Sequence, residues 1–154
     1  MRFLPLGIDL RGRQCLVVGG GAVGTRKVLT LLRAGAAVTV VSPDVSDELA
    51  GEIDGGRVKW VSGSYAERHL KDVFLVICAT SDAELNAAIA AAARERGSLA
   101  CDASSSEHSQ VIFGALCEID DATVAVFTDG SSPARARRTR DRIAALLDRG
   151  RRGT

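Results

Sequence analysis

Short apolar runs alternate with segments of helical periodicity from residue 14 to residue 103. The runs have the length and β-branched content of buried strands, and the segments between them place apolar residues on one helical face. This order predicts α/β architecture, with a Rossmann-like parallel sheet covered by helices on both faces. The predicted strands are 14–19, 37–41, 58–61, 73–79 and 98–103; the predicted helices are 22–34, a short one after Ser46, and 82–96, capped by Ser81 or Asp82.

The pattern changes after residue 110. Two further apolar runs, 111–118 and 123–128, suit an antiparallel hairpin. Ser132 and Pro133 fit the N-cap and first position of a final helix over 134–149. Because a hairpin and one helix bury too little surface to be stable alone, this segment must pack on the first domain or on a second copy of the chain. We therefore expect a Rossmann domain over 1–110 and a hairpin–helix dimerisation segment over 111–154.

Three glycines follow the first predicted strand with the spacing G-x-G-x-x-G. Gly19 permits a tight turn, Gly21 lets backbone approach a phosphate, and Gly24 lets the following helix lie close to the strand. The helix begins at Ala22 and Val23, where free N–H groups and the positive end of the helix dipole favour an anion. Between a strand and a helix, this spacing predicts a site for the pyrophosphate of a dinucleotide. A tight turn alone needs fewer glycines.

Residues after two later strands are candidates for the rest of the cofactor. Asp44, beside Pro43, lies 20 residues beyond Gly24, where an acidic residue usually binds the adenosine ribose and favours NAD over NADP. An ordinary loop residue or a helix cap is the alternative for Asp44. Thr80 ends the fourth strand at the carboxyl edge of the sheet, so it is a candidate contact for the nicotinamide half. Thr80 equally fits the N-cap of the next helix.

Composition narrows the class of protein. The chain is 46% hydrophobic and 25% charged, which is typical of a globular domain. Charges or glycines interrupt every apolar run before it reaches the length of a membrane span, and the N-terminus lacks the apolar core of a signal peptide. We therefore expect a cytoplasmic protein with no membrane partner. The four cysteines include no C-x-x-C pair, so reduced thiols are expected and a metal site is not.

The charge of the chain is unevenly distributed. Residues 134–154 hold eight arginines against two aspartates, a local net charge of +6 in a chain whose total is +1. Such a basic end suggests nucleic acid, a polyanionic ligand or a solvated helix face. Aromatic residues make up 4% of the chain and none lies among these arginines, so stacking on nucleic acid is poorly supported. No nucleic-acid partner is expected.

A series of further motifs extends over almost the whole chain. They are Leu10-Arg-Gly-Arg before the first strand, Arg26-Lys27 after the glycine loop, Ala79-Thr-Ser-Asp with Asn86, Val111-Ile-Phe, and Gly130-Ser-Ser-Pro-Ala-Arg. With these motifs the chain resembles the N-terminal region of the siroheme synthases, the precorrin-2 dehydrogenase and sirohydrochlorin ferrochelatase family. The pair Arg26-Lys27, Asn86 and the late serine–proline turn make the resemblance specific, because the other motifs are shared more loosely with Rossmann proteins.

The resemblance implies NAD-dependent oxidation of precorrin-2 to sirohydrochlorin in siroheme biosynthesis. It also implies a homodimer formed through the hairpin and the last helix. The substrate is rich in carboxylates, so arginines at the start of that helix could hold it. They cannot all face one way on a helix, and we expect contacts from two or three of them, represented by Arg135 and Arg138. A solvated helix face is the alternative for each.

The residues that would act on the substrate depart from the family pattern. In the family an aspartate follows the fifth strand, and counting back from Val111-Ile-Phe places Ser104 at that position. Serine is a poor base and a weak metal ligand. Asp102 lies on the same face of an extended strand, and we hypothesise that it takes the base or orienting role. His108 is the other candidate, because histidine changes charge near neutral pH; a buried loop histidine is its alternative.

A second departure is length. Fuller family members continue with a helical domain after the dimerisation segment, whereas this chain ends at Thr154. Together with Ser104, this leads us to expect dehydrogenase activity without iron insertion. A different class of function is also open: an NAD(H)-binding regulatory module, or a pseudoenzyme of the same fold. Ser104 is the feature that favours it.

Overall fold

The computed structural model describes residues 1–119 and 122–151, with side chains up to residue 148. The chain forms two compact units. One is Gly7–Val111, and the other combines Met1–Leu6 with the described residues from Ile112 onward. The sequence interpretation assigned the first six residues to the Rossmann domain, whereas they group with the hairpin–helix unit. Phe3 N–H donates to Asp129 Oδ1 at 3.4 Å within that second unit.

The unit Gly7–Val111 is built on a five-stranded parallel sheet. Its elements are β1 (Gln14–Gly20), α1 (Ala22–Arg33), β2 (Ala37–Val45), α2 (Asp47–Asp54), β3 (Val58–Ser62), a 3-10 helix (Glu67–Leu70), β4 (Leu75–Cys78), α3 (Ala83–Glu95) and β5 (Leu99–Asp102). The strand order is β3-β2-β1-β4-β5, and every pair is parallel. The predicted Rossmann-like fold is confirmed. The order reverses between β1 and β4, and the crevice at that point is where open α/β sheets bind ligands.

The apolar runs of the sequence form the core of this unit. The central strands are buried on both faces, which explains why they are continuous apolar runs rather than alternating ones. On one face, Leu16 and Val76 of the sheet pack with Ile89 of α3. Helix α1 buries Val28 and Leu31. The core therefore fixes the carboxyl edge of the sheet, where the polar loops lie.

Side-chain caps set where two helices begin. Ser46 Oγ accepts from Leu49 N–H at 3.3 Å at the start of α2. At the start of α3, Asp82 Oδ1 accepts from the N–H groups of Glu84 and Leu85, each at 3.0 Å. Asp82, rather than Ser81 or Thr80, is thus the N-cap. The side chain of Thr80 is left to make other contacts.

The second unit contains an antiparallel hairpin and a long helix. Strands β6 (Ala115–Ile119) and β7 (Ala122–Val126) pair, and α4 spans Pro133–Arg151. The helix begins as predicted at Pro133, with Arg135 N–H donating to Ser132 Oγ at 3.2 Å. Among the residues that the structure describes, no helix combines the length and the apolar character needed to cross a membrane.

Candidate functional site

A cavity of about 770 Å³ opens at the carboxyl ends of β1, β2 and β4. The structure brings most of the predicted cofactor residues to its wall: Gly19, Gly21, Ala22, Val23, Pro43, Asp44 and Thr80. Gly24 is buried in α1 and does not line the cavity. Sequence reasoning missed Ser42, Ser46, Tyr65 and Leu85, which also line it. Ser42 lies near the end of β2, and the other three follow β2, β3 and β4 at the same edge, so strand ends were the signal that could have indicated them.

The glycine loop is shaped by close backbone contacts. Gly19 has a φ of +110°, and a Cβ there would overlap the carbonyl of Ala79. A Cβ on Gly24 would overlap the carbonyl oxygen of Gly19, so glycine is what lets α1 lie against β1. At Gly21, by contrast, no heavy atom lies within 4 Å of the place a Cβ would take. Of the three glycines in the G-x-G-x-x-G motif, Gly19 and Gly24 are therefore required for packing, and Gly21 is left open to a ligand.

Gly20 ties the glycine loop to the end of β2. Its N–H donates to Ser42 Oγ at 3.0 Å, and its carbonyl accepts from Ser46 N–H at 3.0 Å. A Cβ on Gly20 would lie 2.5 Å from the carbonyl oxygen of Asp44. These contacts place the exposed Asp44 on the cavity wall, on the β2 side of the glycine loop. The G-x-G-x-x-G pattern does not include Gly20, and so its role was not predicted.

Asn86 of α3 holds Thr80 at the rim of the cavity. The Asn86 side chain is completely buried. Its Oδ1 accepts from Thr80 Oγ1 at 2.7 Å and from Thr80 N–H at 3.1 Å, and its Nδ2 donates to the Thr80 carbonyl at 3.1 Å. The buried Asn86 amide therefore provides hydrogen-bond partners for both the backbone and the hydroxyl of Thr80.

The three predicted catalytic candidates form one hydrogen-bonded cluster at the end of β5. Asp102 is buried, and its Oδ1 accepts from Ser104 Oγ at 2.5 Å and from Ser104 N–H at 2.8 Å. Its Oδ2 lies 3.0 Å from His108 Nδ1. Ser109, which the sequence did not single out, accepts from Asp102 N–H at 2.9 Å. Hydrogen bonds to these side chains therefore hold the loop after β5 around the Asp102 carboxylate.

These contacts determine the charge of Asp102. Burial raises the pKa of the carboxyl, but the hydrogen bonds from the Ser104 hydroxyl, from His108 and from backbone N–H groups of Ser104 and Ser105 outweigh burial and leave the pKa below its ordinary value. Asp102 is therefore a carboxylate at neutral pH. Because a carboxylate only accepts, the hydrogen of the imidazole belongs on His108 Nδ1 and the lone pair on Nε2. The His108 side chain is 43% exposed.

Hydrogen bonds connect this cluster to the cavity rim. Asn86 Nδ2 lies 3.4 Å from Ser104 Oγ, a long contact that adds to its bonds with Thr80. Strands β4 and β5 are neighbours, with Cys78 opposite Asp102, and Ala103 N–H donates to the Cys78 carbonyl at 2.9 Å. Thr80 thus follows the end of β4, and Asp102 is the last residue of the adjacent strand β5, at the same edge of the sheet.

The arginines predicted to hold substrate lie in the second unit. Arg135 and Arg138 are exposed on the first turns of α4. Arg140 differs from them: it is half-buried, and its Nη1 donates to the Leu116 carbonyl at 2.9 Å, which fastens α4 to the hairpin. Within residues 1–119 and 122–151, no three His, Cys, Asp or Glu side chains lie close enough together to hold a metal ion.

Comparison with known proteins gives consistent matches. The sequence model of an NAD(P)-binding family matches residues 6–115. Siroheme synthase 1 of Pectobacterium atrosepticum is 41% identical over 147 residues, which are 96% of this chain and 31% of that protein. Siroheme synthase of Chromobacterium violaceum is 40% identical over 150 residues, 97% of this chain and 32% of that protein. The chain therefore spans about a third of the length of these curated relatives.

A solved structure matches over most of both chains. It is SirC, a precorrin-2 dehydrogenase, with a TM-score of 0.81 and 30% sequence identity, covering 94% of this chain and 71% of that one. The agreement includes the second unit as well as the Rossmann-like sheet, because the matched share exceeds the length of either unit. The chain belongs to the NAD(P)-binding family that comprises the N-terminal region of the siroheme synthases and the precorrin-2 dehydrogenases.

Proposed function

We propose that this chain dehydrogenates precorrin-2 to sirohydrochlorin, with NAD⁺ as the hydride acceptor. The substrate loses one hydride and one proton, and NADH and a proton are the other products. One observation carries the proposal: a glycine-loop cavity and an ionised carboxylate paired with an imidazole lie at the same edge of one sheet. Membership of the family supports the choice of substrate, because SirC, 30% identical, is a precorrin-2 dehydrogenase.

The cavity fits a dinucleotide. The first N–H groups of α1, at Ala22 and Val23, border it and favour a pyrophosphate, and the open position at Gly21 allows close approach. The Asp44 carboxylate would accept from the adenosine ribose hydroxyls and repel a 2′-phosphate, which favours NAD over NADP. Pro43, Gly19 and Thr80 complete the proposed contacts. When bound, NAD⁺ supplies the hydride-accepting carbon of its nicotinamide ring.

His108 is the proposed proton acceptor. Its Nε2 carries the lone pair because Asp102 accepts from Nδ1, and the resulting imidazolium would be stabilised by the same carboxylate. Asp102 itself is a weak base because its pKa is held low. Its role is therefore to orient His108. Ser104 in turn holds one oxygen of Asp102 and leaves the other for the imidazole.

Two exposed arginines at the start of α4, Arg135 and Arg138, are proposed to bind substrate carboxylates. Arg135 and Arg138 offer planar donor pairs suited to carboxylates. Replacing both with Gln is expected to raise KM for precorrin-2 by about tenfold and leave kcat within about twofold. Arg142→Gln is the matched control, since Arg142 is also exposed on α4. An unchanged KM in the double variant would remove this part of the proposal.

We also propose that the protein is a cytoplasmic homodimer. Leu146 and Leu147 of α4 are 66% and 44% exposed, and a hairpin with one helix provides little core of its own. Sedimentation of the wild type is expected to give twice the chain mass, and a Leu146→Glu, Leu147→Glu variant to give one chain mass. A monomeric wild type at micromolar concentration would contradict the dimer.

The proposed reaction is tested by anaerobic turnover of precorrin-2 with NAD⁺. NADH absorbance at 340 nm and the spectrum of sirohydrochlorin should rise together in equal amounts. NAD⁺ binding in calorimetry without turnover would favour the regulatory module or pseudoenzyme instead. A parallel incubation of sirohydrochlorin with Fe²⁺ is expected to form no siroheme, because the serine at position 104 is a poor base and a weak metal ligand.

A further inference from the structure

Asn86 lies near the start of α3, and its completely buried side chain bonds to two segments of the site. The amide contacts Thr80, which follows β4, and Ser104, which follows β5. Helix α3 does not need these bonds in order to begin, because Asp82 already caps its first N–H groups. The buried amide therefore serves the segments that it bonds rather than the helix that carries it.

The backbone of Thr80 fixes which way the Asn86 amide points. A backbone N–H only donates and a carbonyl only accepts. Oδ1 of Asn86 must therefore face the Thr80 N–H, at 3.1 Å, and Nδ2 must face the Thr80 carbonyl, also at 3.1 Å. A flipped amide would place donor against donor and acceptor against acceptor. In the orientation that remains, the second hydrogen of Nδ2 is directed at Ser104 Oγ, 3.4 Å away.

The Asn86 amide in turn decides the direction of the Ser104 hydroxyl. Because an amide NH₂ only donates, Ser104 Oγ accepts from it, and the single hydroxyl hydrogen is left for another acceptor. That acceptor is Asp102 Oδ1, at 2.5 Å. The other oxygen of Asp102 is the one bonded to His108, at 3.0 Å. The direction of every hydrogen bond from the Thr80 backbone to the Asp102 carboxylate is therefore set.

We propose that Asn86 is a positioning residue that keeps the Ser104 hydroxyl donating to Asp102 and holds that loop against the cavity rim at Thr80. The inference rests on the proposed dehydrogenase function, in which Asp102 orients the proton acceptor. Asn86 acts through other residues, since its side chain is completely buried and does not line the cavity. The role needs an amide, because a carboxylate in the same place has no hydrogen to donate.

The functional test is a double-mutant cycle on Asn86→Asp and Ser104→Ala, measured as kcat/KM for precorrin-2 at saturating NAD⁺. Asn86→Asp keeps the shape but puts an acceptor opposite Ser104 Oγ, which draws the hydroxyl hydrogen away from Asp102. We expect a loss of about ten- to thirtyfold, and the double variant within about twofold of Asn86→Asp, because the hydroxyl that Asn86 directs is then already absent. Ser105→Ala is the matched control: its hydroxyl accepts from Glu107 N–H instead, so its effect should multiply with that of Asn86→Asp. Losses that multiply in the Ser104 cycle, or wild-type kcat/KM in Asn86→Asp, overturn the proposal.

A second measurement needs neither turnover nor a change at Asn86. Asn86 is the single asparagine of the chain, so protein labelled with ¹⁵N-asparagine gives one pair of side-chain NH₂ resonances. In Ser104→Ala, the hydrogen that faces position 104 should shift, and the hydrogen that faces the Thr80 carbonyl should not. A pair that stays unmoved, or two hydrogens that shift equally, would contradict the positioning role alone. Wild type that shows the expected pair but forms no NADH with precorrin-2 would instead contradict the proposed function.

Discussion

The glycine loop and the loop after β5 lie at the same edge of one sheet, but they are held by different interactions. The glycine loop is defined by backbone atoms in contact, with no space for a Cβ on Gly19 or Gly24. The loop after β5 is defined by side chains, since Ser104, His108 and Ser109 all bond to Asp102. Backbone shape defines the proposed cofactor site after β1, whereas the titratable side chains lie two strands away, at the end of β5. Variants should therefore affect the two regions in different ways.

The largest effect is expected from adding one methyl group to the glycine loop. Gly24→Ala would push a Cβ into the carbonyl oxygen of Gly19, and since both are backbone-anchored we expect a loss of about 3 kcal/mol in the free energy of unfolding. Urea unfolding measures this loss in the free energy of unfolding. Gly21→Ala is the matched control, because its Cβ meets no protein atom. That variant should be as stable as wild type and bind NAD⁺ about tenfold more weakly or worse. Equal stability of both variants would contradict this account of the loop.

In the loop after β5, the corresponding change is Asp102→Asn, which keeps shape and removes charge. An amide NH₂ facing His108 Nδ1 would favour the tautomer with the hydrogen on Nε2, leaving no base. We expect kcat to fall about 10²-fold or more, with NAD⁺ affinity within about twofold of wild type. Stopped-flow detection of NADH measures kcat, and calorimetry measures the affinity for NAD⁺. A kcat equal to that of wild type would remove the orienting role of Asp102.

The same variant should change the response to acid. The pKa of Asp102 lies below its ordinary 3.8 in the folded protein, so its ionisation stabilises the fold above that value. This contribution is lost as the pH falls below about 4 towards the folded-state pKa. The free energy of unfolding of the wild type should decline in that range more steeply than that of Asp102→Asn. Parallel curves from pH 7 to pH 3 would show that Asp102 adds no such stability.

The smallest effect is expected from Ser104→Ala. The variant loses the hydroxyl bond to Asp102 and the long contact from Asn86, but backbone N–H groups of Ser104 and Ser105 still hold Oδ1. We expect kcat/KM to fall about three- to tenfold. A loss as large as that of Asp102→Asn would assign Ser104 a direct catalytic role.

The glycine loop was predictable because its signal is local. A strand, three spaced glycines and a helix are contiguous, and the spacing specifies the turn whatever the rest of the chain does. The alternation of apolar runs with helical segments predicted the parallel sheet, but the sequence analysis did not predict the strand order. Gly20 escaped prediction because its role depends on contacts with the end of β2, which lies more than 20 residues away along the chain.

Element boundaries departed from the sequence pattern where backbone groups found other partners. The apolar run predicted as a strand from residue 111 enters the hairpin only at Ala115. The N–H groups of Gln110 and Val111 donate to the Ala100 carbonyl at 2.9 and 3.1 Å, so this backbone is already paired with β5. Strand β2 instead continues to Val45, because Val45 pairs with Gly20 past a register shift. Neither long-range pairing has a sequence signal.

The members of the hydrogen-bonded cluster at the end of β5 were predictable, but their arrangement was not. Asp102, Ser104 and His108 were singled out by residue type and position. Their proposed roles, with Asp102 orienting and His108 accepting the proton, depend on the loop conformation that brings Ser104 and His108 to one carboxylate. Asn86, 18 residues before Ser104, contacts it only because α3 packs beside β5.

The central claim is that His108 takes the proton released by the substrate. The most direct measurement is NADH formation by His108→Ala at saturating NAD⁺ and precorrin-2, with and without added imidazole. We expect kcat to fall about 10²- to 10⁴-fold and imidazole to restore part of it, while wild type does not respond. NADH formation at the wild-type rate by His108→Ala, or a loss that imidazole leaves unchanged, would contradict the account.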